Sequence, residues 1–364
     1  MPDNQRHKVH SVIYVDPNVK DTYRVNQPEG RGVFTRLDQN ENQDGVPQWL
    51  FDMVMKDVTP ATLAMYPEEI SVTEKYAKLI GVRPENVTLT DGSVVGMGYL
   101  IRVFGEPGKN LLAVNPTFGM YYAYASLNGM KSVPISYNED MTFPIDKILD
   151  RIDENTSIVV LVNPNMPVGN TYTQEEIEKV IQKAARYNAL VIVDEAYHYF
   201  FEGSSIPLIK KYDNLAVLRT FSKMLSIPAL RVGAVIGSED IIHYTNNLKP
   251  HYTVNALALK FTEAIIDNHD RVVSELKAKF DEGMDYVLSE LRGKGYDIKP
   301  SAGCFICIKP KYVTVEQAYQ ELVKRKILVL RGTGLLEKYI RLTVFSKKYL
   351  EIFLKAFFEI DVEQ

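Results

Sequence analysis

Short apolar runs that alternate with amphipathic helical stretches are the feature that most constrains the fold of this 364-residue chain. The runs are rich in β-branched residues and too short for helices, which is typical of strands buried on both faces. Because helices separate them, the pattern predicts an α/β fold with a mostly parallel sheet and helices on both faces. A ligand site then forms at the carboxyl ends of the strands. The runs occupy residues 86–90, 110–114, 157–162, 190–193 and 215–218.

The pattern changes after about residue 256, where a long helical stretch leads into short strands and two further helices. We expect this α+β part to form a smaller domain, since the chain exceeds the usual size of a single core. The predicted division is an N-terminal arm that joins the small domain (1–46), a large domain (47–255), and a connecting helix with the C-terminal small domain (256–364).

Composition and charge exclude several classes of function. A net charge of −4 gives no reason to expect nucleic acid or an anionic membrane as a partner. No apolar run is long enough to cross a bilayer and the N-terminus is polar, so a cytoplasmic protein is expected. Cys304 and Cys307 lie in a predicted strand without a second cysteine pair or a histidine cluster. We therefore expect two reduced, buried thiols and no metal site.

A lysine with an acid, a tyrosine and an arginine near strand ends indicates cofactor chemistry. Lys223 ends the motif Thr220-Phe-Ser222-Lys223 and precedes Arg231, while Asp194 and Tyr197 follow another strand. A lysine amine forms a Schiff base with the aldehyde of pyridoxal 5′-phosphate (PLP), and an acid keeps the pyridine nitrogen protonated. Arginine and serine bind phosphate. A single loop lysine is usually a surface charge, but this combination predicts PLP with Lys223, Asp194 and Tyr197 as catalytic residues.

A second phosphate-binding element is predicted where a strand meets a helix. Gly92 and Ser93 follow the run 86–90 and open a predicted helix, so free N–H groups and the helix dipole would face the phosphate. Turns of this kind are common, so the motif carries weight only together with the lysine segment.

With these motifs in order, the chain resembles the fold-type-I PLP aminotransferases, most of all the histidinol-phosphate aminotransferase branch. The resemblance runs from residue 37 to the C-terminus. It implies a ping-pong transfer of an amino group, from glutamate, to a small ketone or aldehyde that carries a phosphate or carboxylate. The motifs are Leu37-Asp-Gln-Asn-Glu-Asn42, Tyr66-Pro67, Asp91-Gly-Ser93, Asp194-Glu-Ala-Tyr197 and Thr220-Phe-Ser-Lys223 with Leu230-Arg-Val-Gly233.

The resemblance also implies roles for single residues. Phe118 would stack on the cofactor ring, and Tyr66 would reach the cofactor phosphate of a partner subunit, which makes a homodimer the expected assembly. Asn42, Arg331 and Arg341 would bind substrate, because both arginines match positions that hold its anionic group and an arginine fork suits such a group. The Thr220 and Ser222 hydroxyls and Arg231 would bind the cofactor.

Two departures from the family pattern fall near the substrate end of the site. Met166 stands where the family has an asparagine that donates to the cofactor's phenolate oxygen, and a thioether cannot donate. Either Asn165 takes over this cofactor contact, or Tyr197 is the only donor. Cys304 also stands where the branch usually has asparagine.

Two other functions remain to be weighed. The same fold and cofactor residues serve PLP-dependent decarboxylases of phosphorylated amino acids, from which this sequence cannot be separated. A non-catalytic binding protein on the same scaffold should lack the lysine or the acid, and both Lys223 and Asp194 are present.

Overall fold

The computed structural model of the chain describes residues 13–20 and 29–363, and the rest of the predicted N-terminal arm lies outside these ranges. Helices in the described part are α1 Pro17–Lys20, α2 Gln48–Lys56, α3 Pro60–Ala64, α4 Ile70–Ile80, α5 Ser93–Phe104, α6 Met120–Leu127, α7 Ile145–Arg151, α8 Gln174–Ala185, α9 Glu239–Leu248, α10 Ala256–Asp267, α11 His269–Gly293, α12 Val315–Lys324 and α13 Lys347–Ile360. The strands are β1 Thr35–Arg36, β2 Val87–Thr90, β3 Asn110–Asn115, β4 Lys131–Ser136, β5 Thr156–Val162, β6 Leu190–Asp194, β7 Leu215–Thr220, β8 Gly233–Gly237, β9 Asp297–Lys299, β10 Phe305–Lys309, β11 Ile327–Leu328, β12 Leu330–Arg331 and β13 Ile340–Thr343.

A seven-stranded sheet forms the centre of the molecule, in the order β2-β8-β7-β6-β5-β3-β4. The pairs between β7 and β4 are parallel, and β8 alone runs antiparallel to both of its neighbours. The predicted mostly parallel sheet is therefore confirmed. Because β8 is reversed, its beginning lies at the edge where the parallel strands end.

Both faces of this sheet are covered, as the apolar runs predicted. Along β5, Ile158 and Val160 pack into one hydrophobic cluster, and Val159 and Leu161 into another. Helices α5, α6 and α9 contribute buried side chains to the first cluster, while α4, α7 and α8 contribute to the second. Alternate residues of a strand point to opposite faces, so a strand apolar at every position requires helices on both sides.

The sequence patterns missed two strands of the large sheet and a helix break. β4 is an edge strand with polar, exposed residues and a proline, and β8 is five residues long with glycine at each end. The long helical stretch predicted after about residue 256 is two helices, α10 and α11, which meet at Asn268. The Asn268 side chain donates to the carbonyl of Ala264, so it satisfies the last turn of α10.

A smaller antiparallel sheet, β12-β13-β10-β9, lies near the C-terminus. The N-terminal segment reaches this region through β1, which pairs with β11. Residues 37–42, called the strap below, follow β1 directly. The strap is fixed at its start, because Leu37 donates to Leu328 and accepts from the backbone of Thr343. It therefore carries side chains from the small sheet to the edge of the large one.

Two expectations from composition can be compared with the fold. Cys304 and Cys307 are buried and unpaired, as predicted. Among the residues that the structure describes, no helix combines the length and the apolar character needed to cross a membrane.

Candidate active site

The predicted site residues gather at the carboxyl edge of the large sheet. Asp194 is the last residue of β6 and Thr220 the last of β7. Gly92 lies two residues after β2, and Arg231 follows a short 3-10 turn, Pro228–Leu230, two residues before β8. Neighbouring strands β6, β7, β8 and β2 thus bring an acid, the lysine loop, an arginine and a helix N-terminus to one place.

An anion cradle forms around Gly92. Its φ of 82° is a conformation that favours glycine, and a Cβ there would collide with the guanidinium of Arg231. A Cβ on Gly233 would likewise collide with the backbone N of Ser93, so both glycines permit a close approach. The first-turn N–H groups of α5 and the Arg231 guanidinium therefore lie side by side, which suits a phosphate dianion.

The lysine loop contributes a serine to this cradle and a threonine that holds the loop. Arg231 donates to Ser222 Oγ over 3.3 Å and to the carbonyl of Pro228 over 3.0 Å. The Ser222 hydroxyl hydrogen is thereby left for another acceptor. The Thr220 hydroxyl accepts from the Ser222 backbone and donates to Val232, so its hydrogen bonds lie within the loop.

Lys223 projects from this loop towards the strap. Its Nζ donates to the carbonyl of Gln39 over 3.1 Å and lies 5.7 Å from the ring centroid of Tyr197. Burial lowers the pKa of the lysine, and the positive charge of Arg341 lowers it further. A lower pKa increases the neutral, nucleophilic fraction of the amine, as attack on an aldehyde requires.

Asp194 is the buried acid of the site, with only 4% of its surface exposed. Burial raises the pKa of its carboxyl group to about 6, although hydrogen bonds from the Tyr121 hydroxyl (2.8 Å) and the Ala196 backbone (3.0 Å) oppose the shift. A cationic ring nitrogen beside Asp194 would favour the carboxylate. Sequence reasoning missed Tyr121, although it lies three residues after Phe118 in the first turn of α6.

Tyr197 is held by a strap residue that sequence reasoning also missed. Asn40 Nδ2 donates to the Tyr197 hydroxyl oxygen over 2.7 Å, and both residues are buried. Asn40 belongs to the motif 37–42, in which only Asn42 was given a role. The Asn42 side chain instead donates to Gly45 and to Ser226 Oγ, so it anchors the strap to the lysine loop.

Arg341 is a buried guanidinium without a carboxylate partner among the described residues. It is 9% exposed, donates to the carbonyl of Asp38 over 3.2 Å, and contacts the Met166 sulfur at 2.6 Å. The Phe305 ring lies 5.5 Å from its guanidinium carbon. Burying a charge without a counter-ion is costly, so this arrangement favours an anionic ligand.

Arg331 is not brought to the same place. In the register of β12 and β13, Leu330 pairs with Arg341 and Arg331 pairs with Ile340. Paired residues share a face of the sheet, so the two arginines point to opposite faces. Arg331 is exposed, forms an ion pair with Glu316 and lies over the Tyr319 ring. The register therefore contradicts the prediction that Arg331 and Arg341 together bind the anionic group of the substrate.

Asn165 does not present a free donor either. Its two amide hydrogens are directed to the carbonyl of Pro116, over 3.0 Å, and to the Tyr137 hydroxyl, while its oxygen accepts from Thr117. The amide thus holds neighbouring loops together. Of the two possibilities left open above, this geometry favours Tyr197 as the only donor.

Two aromatic residues complete the predicted set. Phe118 is half-buried in the turn before α6 and packs against the hydrophobic cluster that α5, α6 and α9 form with the sheet. Tyr66 is 80% exposed and stacks on Tyr252, with ring centroids 4.6 Å apart. Tyr66 therefore lies on the surface of the chain.

The residues fit the cofactor expected from the sequence. The cradle around Gly92 suits a phosphate, Asp194 suits a protonated ring nitrogen, and Lys223 suits a carbonyl carbon. Arg341 adds a place for an anionic group of a second molecule. Together they can bind a cofactor and hold a substrate anion beside the lysine.

Comparison with known proteins agrees with this geometry. The family model for aminotransferase class I and II matches residues 34–357. Histidinol-phosphate aminotransferase of Thermococcus gammatolerans is 32% identical over 327 residues, covering 89% of this chain and 91% of that protein. A putative histidinol-phosphate aminotransferase structure from Erwinia carotovora atroseptica has a TM-score of 0.82 at 22% identity, covering 89% and 95% of the two chains. The Sinorhizobium meliloti histidinol-phosphate aminotransferase, solved in complex with pyridoxal-5′-phosphate, has a TM-score of 0.81 at 18% identity, covering 89% and 90%.

Proposed function

Because the chain belongs to the class I and II aminotransferases and is thus a PLP-dependent enzyme, we propose that it transfers an amino group from glutamate to a small ketone or aldehyde with an anionic tail. When bound, PLP supplies an electron sink for the charge left on the substrate carbon. The observation that carries the choice of substrate is Arg341, a buried guanidinium without a carboxylate partner among the described residues.

The roles of the other residues follow from their positions. Lys223 would hold PLP through its amine and, when that amine is free, would accept the proton at the substrate carbon. Its lowered pKa suits this role, because a neutral amine is needed to accept that proton. Asp194 would keep the ring nitrogen protonated, Tyr197 would donate to the phenolate oxygen, and the cradle around Gly92 would bind the phosphate.

Arg341 serves both halves of the ping-pong cycle in this proposal. The carboxylate of glutamate and the tail of the acceptor would occupy the same guanidinium in turn. The named relatives act on histidinol phosphate, which supports a phosphate as the tail. Arg331 is not part of the proposed subsite, because it lies on the other face of the small sheet.

We further propose that the enzyme is a homodimer in which Tyr66 reaches the partner's cradle. An exposed apolar patch supports this assembly, since such patches mark interfaces. The patch lies near the cradle. Glu69, which precedes Ile70, forms an ion pair with Lys249, and both charges influence the pKa of Asp91, which precedes Gly92. Its large side chains are Leu63, Met65, Tyr66, Ile70 and Tyr252.

The test runs the transfer in the reverse direction, with 2-oxoglutarate as the amino acceptor. It compares histidinol phosphate with histidinol as amino donors, in the wild-type enzyme and in Arg341→Ala. We expect kcat/KM for the phosphorylated substrate to fall about ten- to a hundredfold, the value of one charge-assisted hydrogen bond. The loss for histidinol should be smaller. Arg341→Lys keeps the charge but loses the planar fork, so it should still impair binding.

Arg331→Ala is the matched control, since it removes the same charge from the opposite face of the same sheet. We expect its effect to be much smaller than that of Arg341→Ala. Equal losses for both substrates in Arg341→Ala would show that this arginine does not bind the tail. Release of CO₂ from a phosphorylated amino acid, without amino transfer, would instead identify a decarboxylase.

A further inference from the structure

The substrate side of the site is short of hydrogen-bond donors for a phenolate oxygen. Met166 has none, and its sulfur contacts Arg341. Asn165 directs both amide hydrogens to Pro116 and Tyr137. The remaining candidate among the predicted residues is Tyr197. The direction of its hydroxyl hydrogen therefore matters more here than in family members in which an asparagine also donates to the phenolate oxygen.

A chain of hydrogen bonds determines that direction. The backbone N–H of Asn40 donates to Thr343 Oγ1 over 3.0 Å, so the threonine hydroxyl is free to donate in turn. It donates to Asn40 Oδ1 over 3.2 Å, which identifies the amide oxygen and leaves Nδ2 facing Tyr197. The Tyr197 oxygen accepts this bond over 2.7 Å. Its own hydrogen must therefore point away from Asn40.

We propose that Asn40 is a positioning residue for Tyr197. The Asn40 side chain directs the tyrosine hydroxyl hydrogen to the cofactor's phenolate oxygen, and this contact compensates for the donor that is lost where Met166 replaces asparagine. The inference rests on the proposed cofactor site. No other hydrogen-bond partner of the Tyr197 hydroxyl occurs among the described residues. Accepting a hydrogen bond also makes a hydroxyl a stronger donor, so Asn40 both orients and strengthens the contact.

The backbone at Asn40 is built for this task. Asn40 has a φ of 55°, a left-handed conformation that asparagine tolerates better than most residues. The same strap directs the Gln39 carbonyl to Lys223 and the Asp38 carbonyl to Arg341. One segment thus contacts the lysine, the tyrosine and the substrate arginine, and Asn40 is its contact with the tyrosine.

The test is an absorbance titration of the C=N bond between Lys223 and the cofactor in the holoenzyme. Asn40→Gly removes the side chain, and glycine keeps the positive φ without strain. A weaker donor to the phenolate leaves that oxygen more basic and stabilises the protonated nitrogen. We expect the midpoint of the titration to move to higher pH, corresponding to about a two- to tenfold change in proton affinity.

A double-mutant cycle separates positioning from a general structural effect. In a Tyr197→Phe background the Asn40 side chain has no hydroxyl to orient, so Asn40→Gly should not move the midpoint further. Thr343→Val removes the bond that fixes the amide and should cause a smaller shift in the same direction. Gln43→Ala is the matched control, because Gln43 follows the strap and its side chain accepts, within the described part of the chain, only from the Arg36 backbone. It should leave the midpoint unchanged.

The outcomes distinguish this inference from the proposed function. If Asn40→Gly shifted the midpoint equally in the Tyr197→Phe background, or if neither Asn40→Gly nor Thr343→Val shifted it, Asn40 would not act through Tyr197. If the wild-type protein formed no borohydride-reducible link with PLP, the proposed function itself would fail. A shift confined to the tyrosine-containing background supports the positioning role.

Discussion

At the scale of single residues, the burial of Asp194, which suits its proposed role, lowers the stability of the protein. Its carboxyl group is buried at the end of β6, and burial raises its pKa to about 6. In the unfolded chain the same group ionises at about pH 4. The folded protein without cofactor therefore binds this proton more tightly than the unfolded chain does. Its stability falls as the pH rises from about 4 to 6 and stays reduced above that range.

We predict that Asp194→Asn stabilises the cofactor-free protein at neutral pH, by roughly 3 kcal/mol, because the neutral amide cannot ionise. Below about pH 4 the difference should vanish, since the aspartate is then protonated in both states. Urea unfolding of the two cofactor-free proteins between pH 4 and 7 measures this. With PLP bound, the sign should reverse, because the pyridinium stabilises the carboxylate. A cofactor-free variant no more stable than wild type at pH 7 would contradict the account.

The residue scale also shows how far sequence reasoning reaches. Motifs located Lys223 and Asp194 along the chain, because each follows a recognisable strand. They could not show that the Asn165 hydrogens are directed to other groups, or that Asn40 contacts Tyr197 while Asn42 contacts Ser226, since both depend on side-chain directions within irregular loops. Arg331 and Arg341 look equivalent in sequence. The pairing register places them on opposite faces, and register is set by contacts distant in the chain.

At the scale of elements, the N-terminus of α5 and the loop before β8 form one phosphate cradle. The fit depends on Gly92, where a Cβ would meet the guanidinium of Arg231. Gly108 offers a comparison, because its φ of 86° is similar but a Cβ there would meet nothing within 4 Å. The two positions therefore separate backbone strain from displacement of the arginine.

We predict that Gly92→Ala weakens PLP binding about ten- to a hundredfold, as expected for losing one charge-assisted hydrogen bond. Gly108→Ala should leave PLP affinity unchanged. Both variants should lose stability, by about 1–3 kcal/mol, because both force alanine into a left-handed backbone. Fluorescence titration of the cofactor-free proteins with PLP gives the affinity, and urea unfolding gives the stability. Equal loss of affinity in both variants would assign the effect to strain alone.

Elements differed in how well the sequence predicted them. Strands β3, β5, β6 and β7 are buried on both faces, so their apolar runs were visible. β4 was not predicted, because an edge strand is less buried than a central one and its residues are accordingly polar. The break between α10 and α11 was not predicted either. An amphipathic pattern can continue through a single asparagine that ends one helix and begins the next.

At the scale of the whole molecule, the proposed dimer can be tested by complementation. Lys223→Ala subunits should lack activity, and Tyr66→Ala subunits should be impaired through loss of the phosphate contact. In a hybrid dimer, one site would combine Lys223 of one subunit with Tyr66 of the other and would be intact. After equal mixing and reassembly we expect about one quarter of wild-type activity, because half of the dimers are hybrids with one good site each.

The control mixes Lys223→Ala with Asp194→Asn, whose residues belong to the same subunit's site. That mixture should gain nothing, since no hybrid site contains both residues. Sedimentation at the assay concentration establishes whether dimers are present. Complementation by the control pair as well, or an active monomer, would contradict the crossing of Tyr66.

The reversed direction of β8 has a consequence for how this enzyme can diversify. Because β7 and β8 are antiparallel neighbours, one short connection carries both Lys223 and Arg231 and is tied at both ends into the large sheet. The distance between Lys223, which we propose holds the cofactor, and Arg231, which we propose binds its phosphate, is thus set within a single hairpin. Arg341, by contrast, belongs to the small sheet. Under the proposed roles, substitutions in the small sheet can therefore change the substrate while the cofactor stays in place, so selection can act on substrate and chemistry separately.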